Sequence, residues 1–150
     1  MSEIEVFQKL LPIIRKALGW TTQVFAEKLD VTRQTISNLE RGKKMSRIQY
    51  IAMRSVIDAE LEKYCDETRI VSALLEAFID NPEKYTNDER KVMLNKAKAL
   101  APAIKDGELT RKEVSEEWQM AVMGVGAAVA GCAAIATSST WLRRLLFDKR

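Results

Sequence analysis

The chain contains no histidine. That absence removes Ser–His–Asp and Cys–His catalysis and any ordinary His-containing zinc site. There is also no phosphate-binding glycine loop, no nucleophile–base pair and no spaced set of acidic metal ligands. No catalytic residue, metal or cofactor is therefore assigned, and no small-molecule substrate is evident. Cysteine occurs only at 65 and 132, far apart and both in helical patterns. A structural disulfide is not expected from that placement, and a reducing compartment is. Proline is confined to positions 12, 82 and 102, and no stretch alternates apolar with polar residues for long. Strands are not expected, and the fold class is all-α. The opening "MSEIEVFQKL" lacks a basic region followed by an apolar core, so it does not read as a signal peptide.

What is present is an uneven charge distribution on a chain of 150 residues with net charge +3. That length suits one domain or a small domain with an appendage. Residues 33–54 carry Arg33, Arg41, Lys43, Lys44, Arg47 and Arg54 against the single acid Glu40, six positive less one negative, or +5. Residues 64–119 hold nine basic and twelve acidic side chains, or −3. A basic stripe beside an acidic segment points to a polyanionic partner for the first part only.

Periodicity divides the chain into helices. Ile4, Phe7, Leu11, Ile14 and Leu18 mark a first helix over 3–18, with Pro12 placed to break or kink it and Gly19 as its stop. Thr21 or Thr22 can cap a helix over 22–29 with Phe25, Ala26 and Leu29 inward. Thr32 caps the next, which Gly42 ends. Ser46 opens a helix to about 63 with Ile48, Ile51, Val56 and Ala59 inward. Residues 66–80 continue helically without a clear breaker, "NPEKYT" at 81–86 is a loop, and Thr86 with Glu89 opens 87–105 through a capping box. Pro102 bends that helix near its end. A second capping box, Thr110 with Glu113, opens the following helix.

The stretch "DVTRQTISNLERGKK" at 30–44 has an unusual balance. Ile36 and Leu39 make one narrow apolar stripe. Opposite it fall Gln34, Ser37, Asn38 and Arg41, with Arg33 and Thr35 toward the flanks. An ordinary surface helix is padded with Glu, Lys and Ala. Amides, hydroxyls and guanidinium groups match base edges in a major groove instead: Gln and Asn to adenine, Arg to guanine, Ser or Thr to either. The candidate base-reading residues are Arg33, Gln34, Thr35, Ser37 and Asn38. "GKKMSR" then supplies Lys43, Lys44 and Arg47 for backbone phosphates, joined by Arg41.

Together "LGWTTQVFAEKLDVTRQTISNLERGKK" and the following "IQYIAMRSVI" resemble the helix-turn-helix domain of the Xre/Cro family, which includes lambdoid phage repressors. The resemblance covers about residues 6–60. It implies a four- or five-helix lambda-repressor-like bundle that binds double-stranded DNA, as a homodimer. Asp30 stands where the family often has Gly in the turn. Thr22 and Gln23 stand where the family's "TQ" opens the second helix, shifted by one or replaced by Thr, and the resemblance assigns them phosphate contacts.

The C-terminal third differs again. Residues 118–142 carry no charge and are rich in Ala and Gly. Trp118 and Trp141 bracket 22 residues, about 33 Å of helix, and read as an interfacial belt with Arg143 and Arg144 following. Gly124, Ala127, Ala128 and Gly131 form a small-residue seam. Residues 119–142 are therefore a candidate transmembrane helix that would anchor a cytoplasmic DNA-binding domain in the cell membrane. The alternative is a buried or dimer-forming soluble helix.

The expected organisation is 1–63 as the DNA-binding domain, 64–118 as a charged helical segment, 119–142 as the Ala/Gly-rich hydrophobic helix and 143–150 as a basic tail. The function expected is a sequence-specific transcriptional regulator reading the major groove with helix 33–41. The alternative is a membrane-associated helical module whose helix-turn-helix docks a protein.

Overall fold

The computed structural model describes residues 1–124 and 140–147. The described residues form helices joined by turns and short loops, with no strand among them, as the all-α reading expects.

Helix α1 (Glu3–Ala17) starts at Ser2, whose hydroxyl accepts from the Glu5 amide while the Glu5 carboxylate accepts from the Ser2 amide. Pro12 does not break it. Phe7, Leu10 and Leu11 are buried before the proline and Ile13, Ile14 and Ala17 after it. Burying each of the large side chains, Phe7, Leu10, Leu11, Ile13 and Ile14, contributes about 1.5–3 kcal/mol. Together they outweigh the roughly 3 kcal/mol cost of an interior proline.

Helix α2 (Thr22–Leu29) is capped by Thr21, and Asp30 at its end takes the left-handed backbone with φ 55°. Helix α3 (Arg33–Glu40) is capped by Thr32, and Gly42 beyond it has φ 109°. Helix α4 (Arg47–Lys63) starts in a capping box of Ser46 and Gln49. Its buried face is Tyr50, Met53, Arg54, Ile57 and Leu61. This corrects the expected face: Ile48 is 79% exposed, Ala59 is exposed, and Ile51 and Val56 are half-buried. Aromatic contact decides the rotation, because Tyr50 packs edge-on to Phe7 at 5.0 Å between ring centroids.

The chain does not stay helical across 64–68. A 3-10 turn, Cys65–Glu67, interrupts it before α5 (Arg69–Leu75). No breaker residue announces the turn. Its stabilisation comes from elsewhere: Arg111 donates to the Leu18 carbonyl at 3.1 Å, to Glu60 at 2.6 Å and to Glu67 at 3.4 Å, tying both sides of the turn to one guanidinium. Cys65 is disulfide-bonded. That contradicts the expectation of no structural disulfide, so Cys65 no longer argues for a reducing compartment; Cys132 lies outside the described residues. After α5 comes a π-helical turn, Glu76–Asp80, and then a 3-10 turn, Pro82–Lys84. Helix α6 (Asn87–Leu100) and the short α7 (Pro102–Lys105) meet at Pro102, and α8 (Arg111–Ala121) follows. The two expected capping boxes, Thr86 with Glu89 and Thr110 with Glu113, are both formed.

The stretch read as one helix over 119–142 is not one helix. Helix α8 ends at Ala121 with Val122 as its C-cap, and the described residues resume in α9 (Thr140–Phe147). Residues 125–139 of that stretch, and 148–150 of the basic tail, lie outside the described residues. The bracketing tryptophans are core residues, not a belt. Trp118 is 1% exposed and its indole N–H donates to the Met93 carbonyl at 3.0 Å. Trp141 is 4% exposed, packs edge-on to Tyr50 at 5.6 Å, and donates to Asp58. Among the described residues, no helix is long and apolar enough to cross a membrane.

Candidate nucleic-acid interface

Helix α3 is held from below so that one face stays free. Ile36 and Leu39 are buried, at 0% and 2% exposed. At the far end Glu40 lies inward, at 13% exposure, in a bidentate pair with Arg15 of α1 (Nε–Oε2 2.6 Å, Nη2–Oε1 3.0 Å). The third nitrogen of that guanidinium donates to the Trp20 carbonyl at 3.0 Å. Gln8, two turns earlier on α1, donates its side-chain amide to the Leu39 carbonyl at 2.8 Å and to the Lys43 carbonyl. Two polar residues on one stripe of α1 thus fix the end of α3 and the loop after it. Sequence reading missed both, although their seven-residue spacing places them on one helical face.

Of the candidate base readers, Arg33 and Gln34 are exposed, and Thr35, Ser37 and Asn38 are half-buried. Thr35 is tied to the cap, with its hydroxyl 3.0 Å from that of Thr32. Gln34 donates to the Asn38 side-chain oxygen at 2.8 Å. That bond orders the two amides as a pair and leaves the Gln34 oxygen as acceptor and the Asn38 nitrogen as donor, the combination an adenine edge requires.

Of the candidate phosphate contacts, Arg41, Lys43 and Lys44 are exposed beyond the end of α3. Gln23 is exposed and donates to Glu27 at 3.1 Å, and Thr22 is half-buried. Arg47 is exposed but donates to the Leu145 carbonyl at the end of α9. Arg54 drops out of the basic stripe. It is 1% exposed, lies 4.8 Å from the Trp141 ring centroid, and donates to Tyr50 and Asp80. Its role is to join α4 to the π turn and α9, which the charge count alone does not show.

Two short helices set by a left-handed turn, the second capped and presenting polar groups above a buried stripe, define a helix-turn-helix. Residues 13–52 match the family model described as helix-turn-helix. This segment is a helix-turn-helix domain of the Xre/Cro type, a DNA-binding regulatory domain. Comparison with curated proteins and with solved structures gives no match.

Proposed function

We propose that this protein is a sequence-specific DNA-binding regulator that reads the major groove with α3. The observation that carries the reading is the orientation of α3. Its apolar stripe and its only acid are turned inward, and its outward face offers Arg33 and a pre-ordered Gln34–Asn38 amide pair. Arg33, Gln34, Thr35, Ser37 and Asn38 take the base-reading role. Arg41, Lys43, Lys44 and Arg47, with Thr22 and Gln23 on α2, take phosphates. Residues 1–63 form the unit that does this, and binding is as a homodimer on paired half-sites about one helical turn apart. Membrane tethering is left out of the proposal, because the two tryptophans that motivated it are occupied in the protein core.

The test is selection of bound sequences from random duplex DNA by the full chain, followed by Gln34→Ala on the preferred site. The variant should lose about 1–3 kcal/mol there and relax one base position. An equal loss on every duplex would assign Gln34 to positioning alone. No enriched sequence, with binding insensitive to salt, would favour a protein-docking role for the helix-turn-helix.

A further inference from the structure

On another side of α1 lies a groove of about 670 Å³, bounded by α1, the π turn, α6 and α7. Its floor is apolar, formed by Leu10 and Ile13 of α1, Phe78 of the π turn and Leu94 of α6. Lys9, Lys16 and Lys98 also line it, and no Asp or Glu does. All three lysines are exposed. Among the described residues none of them makes a salt bridge. Lys9 and Lys16 are seven residues apart on α1, so they stand on one face about 10 Å apart along the helix.

The π turn adds an independent pointer. The Asn81 amide donates to the Glu76 carbonyl at 2.8 Å, five residues back. Ala77 and Ile79 stay buried on either side, while Phe78 is half-buried and lines the groove. Inserted π turns recur where a helix must present a side chain to a ligand.

We propose that this groove is a binding site for a small amphipathic anion, a linear apolar chain ending in a carboxylate. The volume falls within the roughly 300–1,000 Å³ of small-molecule sites. The floor offers chain contacts without hydrogen-bonding groups that a sugar or base would need. The three cations attract one head group and repel one another until it arrives. The site is separate from the face of α3 and does not depend on the DNA-binding reading.

Calorimetric titration of the full chain with dodecanoate, kept below its micelle concentration, tests this. Saturable one-to-one binding is expected, with dodecanol binding about tenfold more weakly for want of the charged head. The triple variant Lys9→Gln/Lys16→Gln/Lys98→Gln changes only exposed side chains. It should weaken dodecanoate by about tenfold and leave dodecanol unchanged. Leu94→Trp, which fills the floor, should weaken both ligands. Circular dichroism melting of each variant confirms the fold. No saturable heat, equal affinity for acid and alcohol, or an unaffected triple variant would overturn the proposal. Preferential binding of an acidic amphipathic peptide over dodecanoate would overturn it too.

Discussion

Removing Arg15 should destabilise the protein far more than a surface ion pair can. In Arg15→Leu three hydrogen bonds vanish, two to the Glu40 carboxylate and one to the Trp20 carbonyl. Exposed salt bridges are worth about 0–1 kcal/mol, whereas breaking a buried one costs about 3–5 kcal/mol because it strands a charge. With both partners at 13% exposure, this pair sits near the buried limit. A loss of about 2–3 kcal/mol is expected. Glu40→Leu should cost less, about 1–2 kcal/mol, because Arg15 keeps its Trp20 acceptor and can carry its head toward water. The double variant leaves no charge behind and places apolar surface where α1 meets α3. Its loss should fall below the sum of the singles by about 1–2 kcal/mol. Urea unfolding of the full chain at pH 7 measures all four corners of the cycle. Additive single losses, or an Arg15→Leu loss under about 0.5 kcal/mol, would show that the pair behaves as a surface bridge, and the account of how α3 is held would fail.

Replacing Lys43 and Lys44 by Ala should weaken binding to any duplex and reduce the slope of log affinity against log salt by about one to two units; an unchanged slope in gel-shift titrations would make both lysines mere solubilising residues. Trp141→Ala should cost about 3–5 kcal/mol in urea unfolding, as a buried aromatic does; a loss below about 1 kcal/mol would mean that α9 is not docked. Burial pushes the Asp58 carboxyl up to about 6, against the pull of the Trp141 N–H and nearby Arg54. Between its ordinary value near 4 and that value the folded chain binds more protons than the unfolded one, so stability from this group is full below pH 4 and is lost as pH rises through 6. Partial exposure limits the effect to on the order of 1–2 kcal/mol. Asn keeps an acceptor for the indole, so Asp58→Asn should flatten the pH 4–6 slope and unfold at higher urea than the parent at pH 7; an unchanged profile would refute this assignment.

Local chemistry made the helix-turn-helix legible. Thr32, Asp30, Gly42 and Ser46 act through their own backbone or within three residues, so spacing alone locates the ends of α2, α3 and α4. What escaped the sequence depends on contacts distant along the chain. The rotation of α4 follows from Tyr50 meeting Phe7 and Trp141. The break at 65–67 follows from Arg111, which reaches Glu67 from 44 residues further along the chain. The tryptophans misled for the same reason. A tryptophan at the end of an apolar run signals an amphipathic ring with one polar handle, and that handle can meet a headgroup or a buried acceptor equally well. Here the acceptors are the Met93 carbonyl and Asp58.

Charge tells the same story at larger scale. The net +3 is unevenly placed, because the one acid of α3 is turned inward onto an arginine and other acids are paired with arginines elsewhere in the fold. Glu40 meets Arg15, Glu60 and Glu67 meet Arg111, and Glu3 and Asp80 are shared between Arg54 and Arg144. Every one of those guanidiniums is thereby unavailable to a phosphate. Arg33, Arg41, Lys43 and Lys44 remain exposed around α3, which makes the approach of DNA a matter of few cations at short range. Arg47 stands between the two groups, since its guanidinium already serves the Leu145 carbonyl. A phosphate bound there must replace a carbonyl at the end of α9. A carbonyl is the weaker partner, because a full anion makes the stronger charge-assisted bond. Arg47 is therefore where the fit of the C-terminal helix and the grip on DNA meet in a single side chain.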